Sequence, residues 1–208
     1  MNAKSVKLYG HYLSIPSCKA GLMLSMGGIA HSYHHVDLMQ GAQKEPAFRA
    51  MNRFAQVPVV VHADKTICQS DVILVYLAEQ FAALDGATEG ERLRVREWLC
   101  WQADRLWNIA RARSQIKFQN GAPAVVEQLQ NASRDALGVL DAHLASGEFI
   151  ASEAPTMADV ACFTVIAHVA DAEIDIAEWP AITAWQARMM ARDGCGDWGE
   201  IMPQESRA

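Results

Sequence analysis

The sequence predicts an α/β domain over residues 1–84 followed by an all-helical domain over residues 89–208. Three observations carry this. Strand-like and helix-like patterns alternate as far as Phe81. A small polar run, Asp85-Gly86-Ala87-Thr88, then interrupts the chain. From Glu89 onward apolar residues recur at helical spacing and no further β-branched strand run appears.

Val6-Lys7-Leu8-Tyr9 reads as a strand that Gly10 ends. His11 to Pro16 is a loop, and Pro16 suits the first turn of a helix running through Ala20, Leu22, Met23, Leu24 and Met26. Gly27-Gly28 stops that helix. His31 to Leu38 alternates and reads as a second strand, and Gly41 to Phe48 is a polar connection with about one helical turn. Val57, Val59, Val60 and Val61 form a third strand, His62 to Lys65 a turn, and Thr66-Ile67-Cys68 a fourth strand. Ser70 opens a helix with Ile73, Tyr76, Leu77 and Phe81 on one face. A β-α-β unit followed by a β-β-α unit is the thioredoxin-like order.

In the second half, Glu89 to Phe118 carries Leu93, Trp98, Trp101, Leu106 and Ile109 at helical spacing, with a break expected near Ser114. Gly121-Ala122-Pro123 restarts a helix whose seam is Val126, Leu129, Leu137, Leu140 and Leu144. Thr156 and Asp159 are spaced as a capping box before Val160 to Val169, a stretch apolar all round that should form the core of this half. A last helix holds Ile182, Trp185 and Met189, and the tail from Asp193 is rich in glycine and polar residues.

Composition narrows the function. With 51% hydrophobic and 20% charged residues the chain is that of a globular protein. A net charge of −6 argues against nucleic acid or an anionic membrane as the main partner. Neither a signal peptide nor a membrane span is expected. The 5 cysteines are scattered and include no C-x-x-C, so reduced thiols in a cytoplasm are expected rather than disulfides or a zinc ribbon. His34 and His35 point to opposite faces of a strand, and no metal is assigned.

Two details mark a binding site. Pro58 stands inside a run that otherwise reads as a central strand, where a cis Val57-Pro58 bond would turn the backbone groups of Val57 outward. Ser70 and Asp71 begin a helix, where free N–H groups and the positive dipole end attract a carboxylate. Together they describe a cradle for an extended peptide held by its backbone and α-carboxylate.

Gln56-Val57-Pro58 followed by Q-S-D-x-I-x-x-Y-L-A from Gln69 resembles the cytosolic glutathione S-transferase family. So do L-Y-G-x-x-x-S ending at Ser14, G-x-x-K-x-P-x-F from Gly41, and F-I-x-x-x-x-P-T-M-A-D-V from Phe149. The pattern is closest to the serine-type branches, phi-, theta- or zeta-like, of bacterial members. Arg53 replaces a usual proline, Ala55 a usual glycine, and Ser152-Glu153 stand where another glycine is usual. The resemblance implies the two-domain fold of that family, a cytoplasmic homodimer, and glutathione as co-substrate beside a small hydrophobic electrophile. It places Ser14 as the catalytic donor to the thiol, a position where it can also cap the helix. It places Gln43 and Lys44 at the glycyl carboxylate with Gln56 nearby, Val57 and Pro58 at the cysteinyl backbone, and Gln69 and Ser70 at the γ-glutamyl end. Asp104 matches loosely an acidic residue sent across the dimer.

Tyr9, Tyr12 and Ser17 are rival donors, and Tyr12 could instead line the second-substrate pocket. Cys18 lies four residues after Ser14, about one helical turn in, and reads as a packed residue, with contact to the sulfur or thiol–disulfide exchange through it as the lesser alternative. Trp98, Trp101, Trp107, Arg105, Arg111 and Arg113 could form a wall for a flat or anionic electrophile. Thiolate transfer to an electrophile is the leading reading. Glutathione-dependent isomerisation, dehalogenation or peroxide reduction, and a non-catalytic binding protein, are the alternatives. The zeta-like branch carries Ser-Ser-Cys where this chain has Ser14-Ile15-Pro16.

Overall fold

A computed structural model of the chain describes residues 5–207. The chain divides into two compact units. One contains the residues up to Ala83 together with the stretch from Asp193, and the other is Leu84–Arg192.

The first unit is built on a four-stranded sheet of order β2-β1-β3-β4. Its strands are β1 (Val6–Gly10), β2 (His31–His35), β3 (Val59–His62) and β4 (Lys65–Cys68). β1 and β2 are parallel, and the other neighbours are antiparallel. Helices α1 (Ile15–Met26) and α3 (Ser70–Phe81) pack on each other. The short α2 (Pro46–Met51) contributes Phe48 to a cluster with Val36, Val57 and Val59, against which Tyr9, Val61 and Cys68 also pack. Leu8 and Val60 alternate with those strand residues and are fully buried on the opposite face.

Three expectations change here. β2 ends at His35 and not at Leu38, because the Asp37 carboxylate accepts the Met39 and Gln40 N–H groups at 3.0 and 3.1 Å and turns the chain. Phe81 is partly exposed, and Leu74 takes the buried place on α3. The tail groups with the sheet unit and not with the helices. Arg207 exchanges backbone hydrogen bonds of 2.7 and 2.8 Å with Tyr33 on the edge strand β2. Upstream, Ile201 and Met202 lie against Gly21 of α1, where a side chain at Gly21 would collide with the Met202 sulfur. A one-turn helix, Trp198–Ile201, capped by Asp197, precedes them and is too short to show periodicity.

The second unit starts with α4 (Glu89–Trp101), capped by the reciprocal Thr88–Glu91 pair. The long helix is interrupted twice. π-helical turns run over Gln102–Leu106 and Gln115–Gln119, on either side of α5 (Asn108–Ser114). The second lies where a break is expected, and the first has no glycine or proline to announce it. Leu93 is 62% exposed, and Val95 and Leu99 form the buried stripe in its place. α6 (Pro123–Leu144) buries Leu137, Leu140 and Leu144. α7 (Met157–Ile166) is buried on every side, as its composition requires. α8 (Pro180–Met190) buries Ile182, Trp185 and Met189, and Asp141 of α6 accepts its Ala181 and Ile182 N–H groups at 2.8 and 3.0 Å.

Asp159 joins these pieces. One carboxylate oxygen accepts the Ile150 N–H at 2.9 Å and the Trp185 indole N–H at 3.0 Å. The other accepts the Thr156 N–H at 2.8 Å and its hydroxyl at 3.0 Å. Burial nevertheless pushes this carboxyl up from its ordinary value, against those donors.

Candidate functional site

Strand register decides which loops meet. Gly10 is opposite His35, Tyr9 opposite Val59, and Val59 opposite Cys68. The exits of β1, β2 and β4 and the entry to β3 therefore lie along one end of the sheet. The Ser14 loop, the connection to Gln43 and Lys44, the Val57-Pro58 pair and the Gln69-Ser70 pair all issue from that end. Asp104, the remaining expected site residue, belongs to the second unit, where it is exposed and paired with Arg105 at 2.9 Å.

The Val57–Pro58 bond is cis. The ladder of β3 begins at Val59, so Val57 stands outside it, with its side chain held in the Phe48 cluster. The turn before it is built by Asn52. Its side-chain amide donates to the Gln56 carbonyl at 2.6 Å and its oxygen accepts the Phe54 N–H at 3.0 Å. Ala55, where the family pattern has glycine, has φ of 51°, the left-handed conformation glycine favours. Arg53, in the usual proline position, lays its guanidinium over the Phe54 ring at 4.4 Å. Gln56 is exposed.

Gln69 has φ of 71° and ψ of 119°, an uncommon conformation for a residue with a side chain. It turns the chain from β4 straight into α3, so that Ser70 and Asp71 form the helix's first turn. Asp71 accepts a hydrogen bond from the buried Lys19 ammonium at 2.7 Å. Gln43 sits in a short 3-10 turn with its side-chain oxygen buried and without a hydrogen-bond donor, and Lys44 beside it is exposed.

Ser14 is the N-cap of α1. Its hydroxyl oxygen accepts the Ser17 N–H at 3.3 Å, and its own N–H donates to the His11 carbonyl at 2.9 Å. Pro16 supplies no N–H, so the Ser14 hydroxyl and the Ile15 amide are the donors left at this helix start. Ser17 is fully buried with its hydroxyl unpaired, and the buried Cys18 thiol donates to the Tyr12 carbonyl at 3.4 Å. Neither is open at the helix mouth. Tyr12 is half-buried and stacks on His11 at 4.6 Å. Tyr9 stacks on His34 at 4.6 Å.

Of the long-helix residues, Trp98 is packed against Trp101 and His143. Arg113 is buried and donates to Asp171 at 3.0 Å, and Arg111 donates to Asn108 at 3.0 Å. The expected arginine wall is thus largely engaged in internal pairs. Among the described residues no group of three or more His, Cys, Asp or Glu is placed to hold a metal ion. No described helix is long and apolar enough to cross a membrane.

Two contributors have no counterpart among the residues that the sequence singles out. His11 reads only as loop, although it is 2% exposed and holds the Ser14 turn. Lys19 reads as part of an apolar helix. A lone lysine between buried stretches, with an aspartate at the next helix start, is the signal that could find it.

The family model for the glutathione S-transferase N-terminal domain matches residues 4–79, and that for the C-terminal domain matches residues 103–193. Glutathione S-transferase F9 of Arabidopsis thaliana is 31% identical over 169 residues, covering 75% of this chain and 77% of the relative. Disulfide-bond oxidoreductase YfcG of Escherichia coli is 26% identical, covering 86% of this chain and 87% of its own. The crystal structure of a glutathione S-transferase from Xanthobacter autotrophicus superposes with a TM-score of 0.84 at 30% identity, over 92% of this chain and 96% of that one. A sheet end that gathers the serine turn, the cis proline and the Gln-Ser helix start, in a chain matched by both domain models in order, places this protein in the glutathione S-transferase family.

Proposed function

We propose that this protein binds glutathione along the end of the sheet and delivers its thiolate to a small hydrophobic electrophile. The observation that carries the reading is the register that brings Ser14, the cis Val57–Pro58 pair and the Gln69–Ser70 start of α3 to one edge. Val57 lies outside the ladder and offers its backbone to the cysteinyl residue. The N-terminus of α3, with Gln69 and Ser70, receives the γ-glutamyl carboxylate. Gln43, Lys44 and Gln56 serve the glycyl end, where a lysine acts as a point charge.

Ser14 carries the chemistry in this reading. A free thiol with a pKa of about 8.5 is mostly protonated at neutral pH. The Ser14 oxygen is occupied as an acceptor from Ser17, which leaves its proton free to donate to sulfur. That bond and the α1 dipole favour the anion, the displaced proton passing to solvent. The thiolate then forms the carbon–sulfur bond as a leaving group such as chloride departs. Tyr12 lines the approach of the electrophile. The protein works as a homodimer in the cytoplasm, and Asp104 reaches the glutathione site of the other copy.

The test is turnover of glutathione with a chlorinated nitroaromatic. Ser14→Ala should lower kcat on the order of 10²-fold with the fold intact. Undiminished turnover in that variant removes Ser14 from the mechanism. A second reading, reduction of a small disulfide by glutathione, is favoured by the oxidoreductase named among the relatives. Cys18 is buried and bonded to Tyr12, so such exchange would run through bound glutathione rather than a protein thiol. Comparing disulfide and chloroaromatic turnover in one preparation separates the two.

A further inference from the structure

His11 lies between the end of β1 and Ser14 and is 2% exposed. Its ring nitrogen Nδ1 accepts the Leu13 N–H at 3.1 Å, and its carbonyl accepts the Ser14 N–H at 2.9 Å. An Nδ1 that accepts carries no proton, so the ring is the neutral tautomer with hydrogen on Nε2. The ring stacks on Tyr12 at 4.6 Å and meets His35 of β2 at a tilt at 4.9 Å, and those two rings are themselves 6.1 Å apart, so the three form a cluster. Asp37, just beyond β2, is the nearby acidic group. Beyond His35 stands the Tyr33 hydroxyl, which donates to the Gly10 carbonyl at 3.0 Å.

We infer that neutral His11 is a positioning residue for glutathione activation: by accepting the Leu13 N–H it latches the turn that presents the Ser14 hydroxyl, and protonation of the ring releases that turn. The inference rests on Ser14 being the thiol donor. A proton from solvent on Nδ1 would set two donors head to head, so the bond is lost outright. Burial and the adjacent His35 hold the ring's pKa below its ordinary value, against the opposing pull of Asp37. The latch is therefore closed at neutral pH and opens on the acid side.

Two substitutions separate latching from packing. His11→Phe keeps a ring against Tyr12 and His35 but has no acceptor. His11→Asn offers Oδ1 to the N–H two residues on, the geometry of an Asx turn, and cannot titrate. At neutral pH His11→Phe should lose roughly tenfold in kcat with little change in the KM for glutathione. His11→Asn should recover most of that loss. In the wild type, log kcat/KM should fall on the acid side more steeply than one proton over the range where His11 titrates, the glutathione thiol giving the first proton and His11 the excess. In His11→Asn it should fall with a slope of one. Hydrogen exchange of the Leu13 amide reads the latch without catalysis. Its protection should drop as wild-type protein is acidified and persist in His11→Asn. Wild-type protection that stays flat through the acid range overturns the inference, as does full turnover in His11→Phe. Wild-type turnover in Ser14→Ala, with Leu13 protection still following the His11 variants, would instead discard the serine and leave the latch standing on exchange alone.

Discussion

Lys19 and Asp71 form a 2.7 Å ion pair that ties α1 to the first turn of α3, with the lysine side chain 2% exposed and the aspartate 30%. The helix that begins at Ser14 and the helix that begins at Ser70 are thereby fixed to each other. The two ends of the pair differ in what they leave behind. Asp71→Ala removes the carboxylate that offsets a buried ammonium, and should lower stability by about 3 kcal/mol. Lys19→Met fills the same space and leaves Asp71 partly solvated at a helix N-terminus that favours it, so the loss should stay near about 1 kcal/mol. Urea midpoints of the two variants check the order; equal losses would deny that burial of the lysine sets the asymmetry.

Ala55 holds φ of 51° in the turn before Pro58. A side chain in that region costs about 1–2 kcal/mol, partly offset by the extra freedom glycine has when unfolded. Ala55→Gly should therefore stabilise the protein by about 0.5–1 kcal/mol. Thermal melts would show it, and a lower Tm would mean that the Cβ makes a contact worth more than the strain.

Asp159→Ala strands the Ile150 N–H, the Thr156 N–H and the Trp185 indole N–H in a fully buried place. The expected loss is at least about 4 kcal/mol, enough to leave much of a marginal protein unfolded. Trp185→Phe removes only one of these donors, and its loss should come mainly from packing. Denaturation followed by circular dichroism distinguishes them. A mild Asp159→Ala would show that the carboxylate is dispensable.

Stability should decline on acidification. The pKa values of His11, His34 and His168 are all lowered, in each case chiefly by burial. A histidine whose folded value lies below its unfolded value binds its proton more readily when unfolded. The stability it confers is full above the ordinary histidine value of about 6.5 and is lost as pH falls toward the folded value. Glu91, held low first by the Thr88 N–H, acts in the same direction further into the acid range. Urea midpoints at a series of pH values below neutrality check this. His168→Gln should flatten part of the decline, and an unchanged slope would exclude that ring as a contributor.

Much of the sheet unit is legible in the sequence because its signals are local. A proline inside the valine run at Pro58 and a Gln69-Ser70 pair ahead of an apolar helix each constrain the backbone within a few residues. The π-turn at Gln102–Leu106 is not legible, since it inserts one residue into a ladder without any helix-breaking side chain. Leu93 and Val95 exchange places for a related reason: two apolar stripes fit the periodicity, and tertiary packing chooses one. The role of His11 depends on a ring nitrogen meeting an amide two residues away, which composition does not encode. The docking of the tail on β2 rests on backbone bonds across the length of the chain, and those carry no side-chain signature.

That docking has a practical consequence. Ser206 and Arg207 occupy the open flank of β2, where the Ser206 hydroxyl accepts the His35 N–H at 2.9 Å. A shortened C-terminus would uncover a template for intermolecular strand pairing. Trimmed preparations should clump before they melt, and an affinity tag fused at this end would sit where the molecule guards itself against its own kind.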